Sequence, residues 1–151
     1  MSYTKKQISD ISGLSLRLVQ FYTEEKLILP EKTAKKGRGY VRKYSKRSLL
    51  DFLVIKELSN FGITKPKIKF FLEYIHTEPY IVSYIDESLY REGIEIFLQI
   101  VVMKDDEWVV KYTLHGNVSH KTPILTFDDH SAYDSCILIN FGQIVRKAMH
   151  Q

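Results

Sequence analysis

The chain has 151 residues, 44% of them hydrophobic, and a formal net charge of +4. That length holds one ordinary domain or two small ones; the apolar content excludes global disorder, and the single Cys136 excludes an internal disulfide or a thiolate metal cluster within one chain. The modest net charge conceals a division: residues 1–75 carry 16 Lys+Arg against 7 Asp+Glu, a net +9, whereas residues 76–151 carry 6 against 11, a net −5.

In chain order, Thr4 is the expected N-cap of a first short helix that places Ile8 and Ile11 on one face. Gly13 ends it, because glycine enters the left-handed conformation without steric cost. Ser15 caps a second helix running from Leu16 to about Glu25, with Val19 and Tyr22 inward and Leu16, Arg17, Gln20 and Phe21 outward. After Leu27-Ile28-Leu29-Pro30 comes a basic, glycine-punctuated stretch, Lys35-Lys36-Gly37-Arg38-Gly39-Tyr40-Val41-Arg42-Lys43-Tyr44. It reads as a hairpin with cations near its tip, its return strand pinned to the core by Tyr44. Ser45 caps a third helix carrying Leu49, Leu50, Phe52, Leu53, Ile55 and Leu58, which stops near Phe61-Gly62. Thr64 caps a fourth, with Pro66 in its first turn and Ile68, Phe71, Leu72 and Ile75 inward. Lys46 and Arg47 open the third helix against the dipole preference, which a phosphate partner would explain. Two short helices, a tight turn and a basic hairpin form a unit suited to gripping duplex DNA, and the +9 half implies a polyanion.

The ordered set formed by Tyr3-Thr4, Gly13-Leu14-Ser15, Arg17, Phe21-Tyr22, Leu27, Pro30, Gly39-Tyr40 and Tyr44-Ser45 closely resembles the N-terminal domain of the MerR family of bacterial transcriptional regulators. The resemblance spans roughly residues 3 to 75. It implies a winged helix-turn-helix, mostly helical with a β-hairpin wing, whose second helix enters the major groove. It implies a DNA contact for Arg17, and Tyr40 is the better match for the family's backbone-binding tyrosine. Gln20 departs from the arginine usual in the family, and is either an adenine reader or a lost phosphate contact. With the chemistry of the residues, the expected DNA-binding set is Thr4, Ser15, Leu16, Arg17, Gln20, Phe21, Lys35, Lys36, Arg38, Tyr40, Arg42 and Lys43.

In the acidic half the resemblance thins. His76-Thr77-Glu78-Pro79 interrupts the helical pattern where family members continue into a long dimerising helix. A short helix from about Tyr80 to Leu89 is expected instead. Ile94 to Val102 and Trp108 to Leu114 then alternate as two strands about a turn at Lys104-Asp105-Asp106-Glu107. Ile124–Phe127 and Cys136–Ile139 are further strand candidates, and a last helix follows from about Phe141 to His150, capped by Asn140. The fold class expected is α+β: a winged helix-turn-helix over residues 1–77 and a small α+β effector, dimerisation or partner module over 78–151.

His115, His120, Asp128, Asp129, His130 and Cys136 lack metal-ligand spacing, and no nucleophile, phosphate-loop or carboxylate-pair motif stands out. No cofactor, metal or enzymatic activity is therefore expected. No apolar run approaches the ~20 residues of a membrane helix, and Met1-Ser2-Tyr3-Thr4-Lys5-Lys6 lacks an export signal's apolar core, so a cytoplasmic protein without membrane association is expected. The expectation is a sequence-specific, dimeric DNA-binding regulator, with RNA polymerase or another protein as partner of the acidic half; activation and repression are both open. The alternative is a DNA-docked interaction protein, an antitoxin or chromosome-associated adaptor, whose acidic half binds a different protein.

Overall fold

The computed structural model describes residues 1–31, 41–85, 95–103, 107–115 and 133–151, and these divide into two compact units. Residues 1–72 with 144–151 form the first, and residues 73–143 form the second. The division expected at 77/78 assigned the last eight residues to the second module. They group with the first instead, for reasons given below.

The first unit begins with β1 (Ser2–Thr4), which runs directly into α1 (Lys5–Ser12). Thr4 and Gln7 form a reciprocal capping box: the Thr4 hydroxyl accepts from the Gln7 backbone N–H, and the Gln7 carbonyl accepts from the Thr4 N–H at 2.8 Å. Gly13 then turns the chain at φ +75°, a conformation that disfavours any side chain. Ser12 and Ser9 fix the turn, donating to the carbonyls of Ile8 and Leu14, and α2 (Leu16–Glu24) starts from Ser15, whose hydroxyl accepts from Leu18 N–H. The helix ends differently from α1. Lys26, not a glycine, takes the left-handed conformation at φ 57°, and Leu27 N–H returns to the Tyr22 carbonyl.

β2 (Lys43–Ser45) pairs antiparallel with β1, setting Tyr3 against Tyr44. Glu31 N–H donates to the Lys43 carbonyl at 2.8 Å and closes the base of the predicted wing. The wing residues Lys35, Lys36, Arg38 and Tyr40 lie outside the described residues. Ser45 caps α3 (Lys46–Asn60), accepting from Ser48 N–H. This helix is central: Leu49, Leu50, Phe52, Leu53, Val54, Ile55 and Leu58 are all buried, so it is apolar around most of its circumference rather than along one stripe. Gly62, at φ +72°, ends it as expected, and α4 (Lys65–Thr77) carries the buried Ile68, Phe71, Leu72 and Ile75.

Tyr44 joins these parts. Fully buried, it sets its ring edge-on to Phe52 of α3 and lies 2.9 Å from the Thr23 hydroxyl of α2. Thr23 spends its only proton on the Val19 carbonyl at 2.8 Å, so the Tyr44 hydroxyl is the donor between them. The sequence reading of Tyr44 as the pin of the return strand holds.

In the second unit α5 (Pro79–Ile85) opens with Pro79 at its first position, where the absent N–H costs nothing. The predicted extension to Leu89 lies outside the described residues. β3 (Glu95–Met103) is the centre of a three-stranded antiparallel sheet, flanked by β4 (Trp108–His115) and β5 (Tyr133–Asn140). Ile96, Leu98 and Ile100 are buried on one face, as the alternation predicts, but Gln99 and Val101 on the other face are buried as well. The register sets Ile100 against Val110 and Ile137. The candidate strand at Ile124–Phe127 lies outside the described residues.

The last helix, α6 (Phe141–Met149), is capped as expected, Asn140 Oδ1 accepting from Gln143 N–H. Gly142 lies in a close approach: a Cβ there would meet the Tyr84 hydroxyl at 2.8 Å and a Glu95 carboxylate oxygen at 2.5 Å, so those side-chain ends would have to shift. From Ile144 onward the helix belongs to the first unit, with Val145 and Ala148 fully buried and the Lys46 ammonium donating to the Met149 carbonyl. That bond gives Lys46 a partner within the chain. Its charge answers the exposed carbonyls at the C-terminus of α6.

Two expectations follow. Thr23→Val leaves the buried Tyr44 hydroxyl without its acceptor and costs about 1–3 kcal/mol, whereas Tyr44→Phe, which keeps the Thr23–Val19 bond, costs about 0.5–1.5 kcal/mol; urea unfolding of both variants tests the order. The second concerns Tyr112. Burial first, then the Glu78 carboxylate that accepts its hydrogen bond and the nearby Tyr80, hold its pKa above the ordinary 10.0. The neutral phenol is thus favoured in the folded chain, so stability is full below pH 10 and falls as pH rises through the folded value. Melting temperatures measured from about pH 8 to pH 11 should fall less steeply in Tyr112→Phe than in the parent chain.

Candidate nucleic-acid interface

Two buried residues decide which way α2 faces. Val19 is fully buried and Tyr22 nearly so, and the helical period turns Leu16, Arg17, Gln20 and Phe21 outward. Leu16 is 46% and Phe21 41% exposed, an apolar surface open to solvent among the described residues. Arg17 and Gln20 stand exposed on this face.

Around the helix, a groove of about 310 Å³ is lined by Lys5, Gln20, Val41 and Arg42. Those residues come from the start of α1, the middle of α2 and the chain just before β2. The predicted contacts Gln20 and Arg42 therefore share a concave surface, and Lys43 follows directly, half-buried. The groove is bordered by two cations and is open to a polyanion. Thr4 and Ser15, also predicted contacts, have their hydroxyls in the caps of α1 and α2. Both sit where backbone N–H groups begin a helix, which is where a phosphate is also well received.

Three residues at the interface are not in the predicted set. Lys5 donates to Gln20 Oε1 at 3.1 Å, and Glu24 accepts from Gln20 Nε2 at 2.8 Å. Lys65, at the start of α4, lies 5.8 Å from the Phe21 ring centroid and pairs with Glu25 at 2.6 Å. Both partners of that pair are more than 40% exposed, so it contributes little stability and leaves the ammonium accessible. The i, i+4 spacing of Gln20 and Glu24 was a usable signal for their bond. Nothing local marked Lys5 or Lys65, which arrive from other helices.

Of the sequence's candidate metal ligands, His115 and Cys136 lie on β4 and β5, and His120, Asp128, Asp129 and His130 lie outside the described residues. No helix among the described residues is long and apolar enough to cross a membrane.

Residues 3–75 match the sequence profile of the MerR HTH family regulatory proteins. No curated protein matches the chain. A crystal structure of a MerR-family transcriptional regulator from Bacillus cereus is similar at 16% identity, over 60% of this chain and 74% of that one, with a TM-score of 0.39. The matched span runs from β1 through α4 to Ile75, taking in the capped α1–α2 pair, the base of the wing and the α2 face. Residues 3–75, about half of the chain, thus carry the helix-turn-helix domain of the MerR HTH family regulatory proteins.

Proposed function

We propose that the chain is a sequence-specific transcriptional regulator that lays α2 in the major groove and its basic wing on the flanking phosphates. The carrying observation is the outward face of α2, with Arg17 and Gln20 exposed beside the groove shared by Lys5 and Arg42. Arg17, near the start of the helix, reaches a guanine edge or a phosphate, and Leu16 and Phe21 offer apolar contact to thymine methyl groups. Arg42 and Lys43, with Lys35, Lys36, Arg38 and Tyr40 from the sequence, take phosphates. The +9 charge of residues 1–75 supports this division.

The regulator acts as a homodimer on two half-sites, and residues 78–151 supply the contact between copies. Support comes from Pro79, which interrupts the helical pattern in the sequence, and from a sheet whose central strand buries Ile96, Leu98, Ile100 and Val101. A second copy would extend the apolar burial available to a small module.

Three outcomes test these statements. Binding to duplex DNA should weaken with salt at a log–log slope of roughly −0.9 per phosphate neutralised; a flat response sinks the proposal. Arg17→Ala should lose about 1–3 kcal/mol on the specific duplex and much less on a scrambled one, whereas Arg42→Ala should weaken both about equally. Light scattering of the full chain should give twice the monomer mass, and a monomer at the concentrations where it binds would refute the homodimer.

A further inference from the structure

Gln20 is held at both ends. Lys5 Nζ, which can only donate, lies 3.1 Å from Oε1, and the Glu24 carboxylate, which at neutral pH only accepts, lies 2.8 Å from Nε2. An amide turned over would set its NH₂ against the ammonium and its oxygen against the carboxylate. Both contacts would then be repulsive, so the two partners fix the direction of the side chain.

Neither partner exhausts the amide. Oε1 retains a lone pair and Nε2 retains an N–H, and both groups sit on the exposed face of α2 at the mouth of the groove. An acceptor and a donor side by side match the major-groove edge of adenine, which offers the N6 amino donor and the N7 acceptor. Guanine presents two acceptors there, O6 and N7, so the fixed Oε1 would face O6 and repel it. Cytosine offers only a donor, and thymine an acceptor beside a methyl group.

We propose that Lys5 and Glu24 are positioning residues that lock Gln20 for adenine, making this triad the specificity determinant of the interface. The inference rests on the reading that α2 enters the major groove. Glu24 carries a second effect, because a carboxylate near the phosphate backbone weakens binding to every sequence. The chain thereby gives up affinity and gains discrimination. A Gln in place of Glu24 can accept or donate, so it fills the same space without fixing the direction.

The experiment selects binding sites from a randomised duplex pool with the full chain, then measures affinity for the selected duplex, its adenine-to-guanine variants and a scrambled duplex. The parent chain should prefer adenine over guanine at one position per half-site by roughly 5- to 150-fold. Gln20→Ala should abolish that preference. Lys5→Met combined with Glu24→Gln, which removes both orienting partners, should reduce it to about 3-fold or less, and Glu24→Gln alone should tighten binding to the scrambled duplex, changes that loss of helix stability would not produce. All three side chains lie at the surface, and melting curves of the variants check that the fold is kept. An undiminished adenine preference when both Lys5→Met and Glu24→Gln are present, or a selected site without an adenine sensitive to Gln20→Ala, overturns the inference. A parent chain that binds no duplex in a salt-sensitive manner refutes the underlying major-groove reading instead.

Discussion

The first unit is organised around the buried hydroxyl pair of Tyr44 and Thr23. Tyr44 belongs to β2, paired with β1 at the N-terminus and following the wing; Thr23 belongs to the last turn of α2. Their bond ties α2 to β2, and the Phe52 ring against Tyr44 ties both to α3. In an apolar interior such a bond is costly to break and tolerant of few alternatives. Among the described residues, α2 and β2 are thus held together before any ligand arrives, so association need not supply the energy of ordering their junction.

The surface so presented is poorly adapted to water alone. Leu16, Leu18 and Phe21 are each 40% exposed or more, and cations from α1, α4 and the segment before β2 surround them. Packing against other helices would favour the apolar groups and exclude the charges. A nucleic-acid groove, with methyl groups and base edges flanked by phosphates, accommodates both. Glu24, hydrogen-bonded to Gln20, adds a carboxylate beside these cations.

Much of the fold is readable in the residues because the signals are local. Thr4, Ser15, Ser45 and Asn140 cap their helices within three residues of themselves, and Gly13 and Gly62 take the positive φ that ends α1 and α3. The outward face of α2 follows from its period. The parts that escape reading depend on distant partners. Lys46 looks like a charge misplaced at a helix start until Met149, 103 residues later, supplies its acceptor. Lys5 reaches Gln20 across the turn between helices, and Lys65 reaches Phe21 from a different helix altogether. Lys26 in the left-handed conformation violates the glycine preference because the return of Leu27 and Ile28 to the Tyr22 carbonyl dictates the backbone there. Alternation in β3 does not mark Gln99 and Val101 as buried, yet both are, along with Ile96, Leu98 and Ile100.

The grouping of residues 144–151 with residues 1–72 has a consequence for how the chain is made. The ribosome finishes most of the first unit and then must add the whole of residues 73–143 before the segment that completes it. At roughly 5–20 residues per second, those residues impose a lag of about 4–14 s. Throughout that interval the apolar sites that later receive Val145 and Ala148 stand open, and the nascent DNA-binding unit is a substrate for chaperones and proteases. Slow codons within residues 73–143 would lengthen this exposure without altering a single side chain.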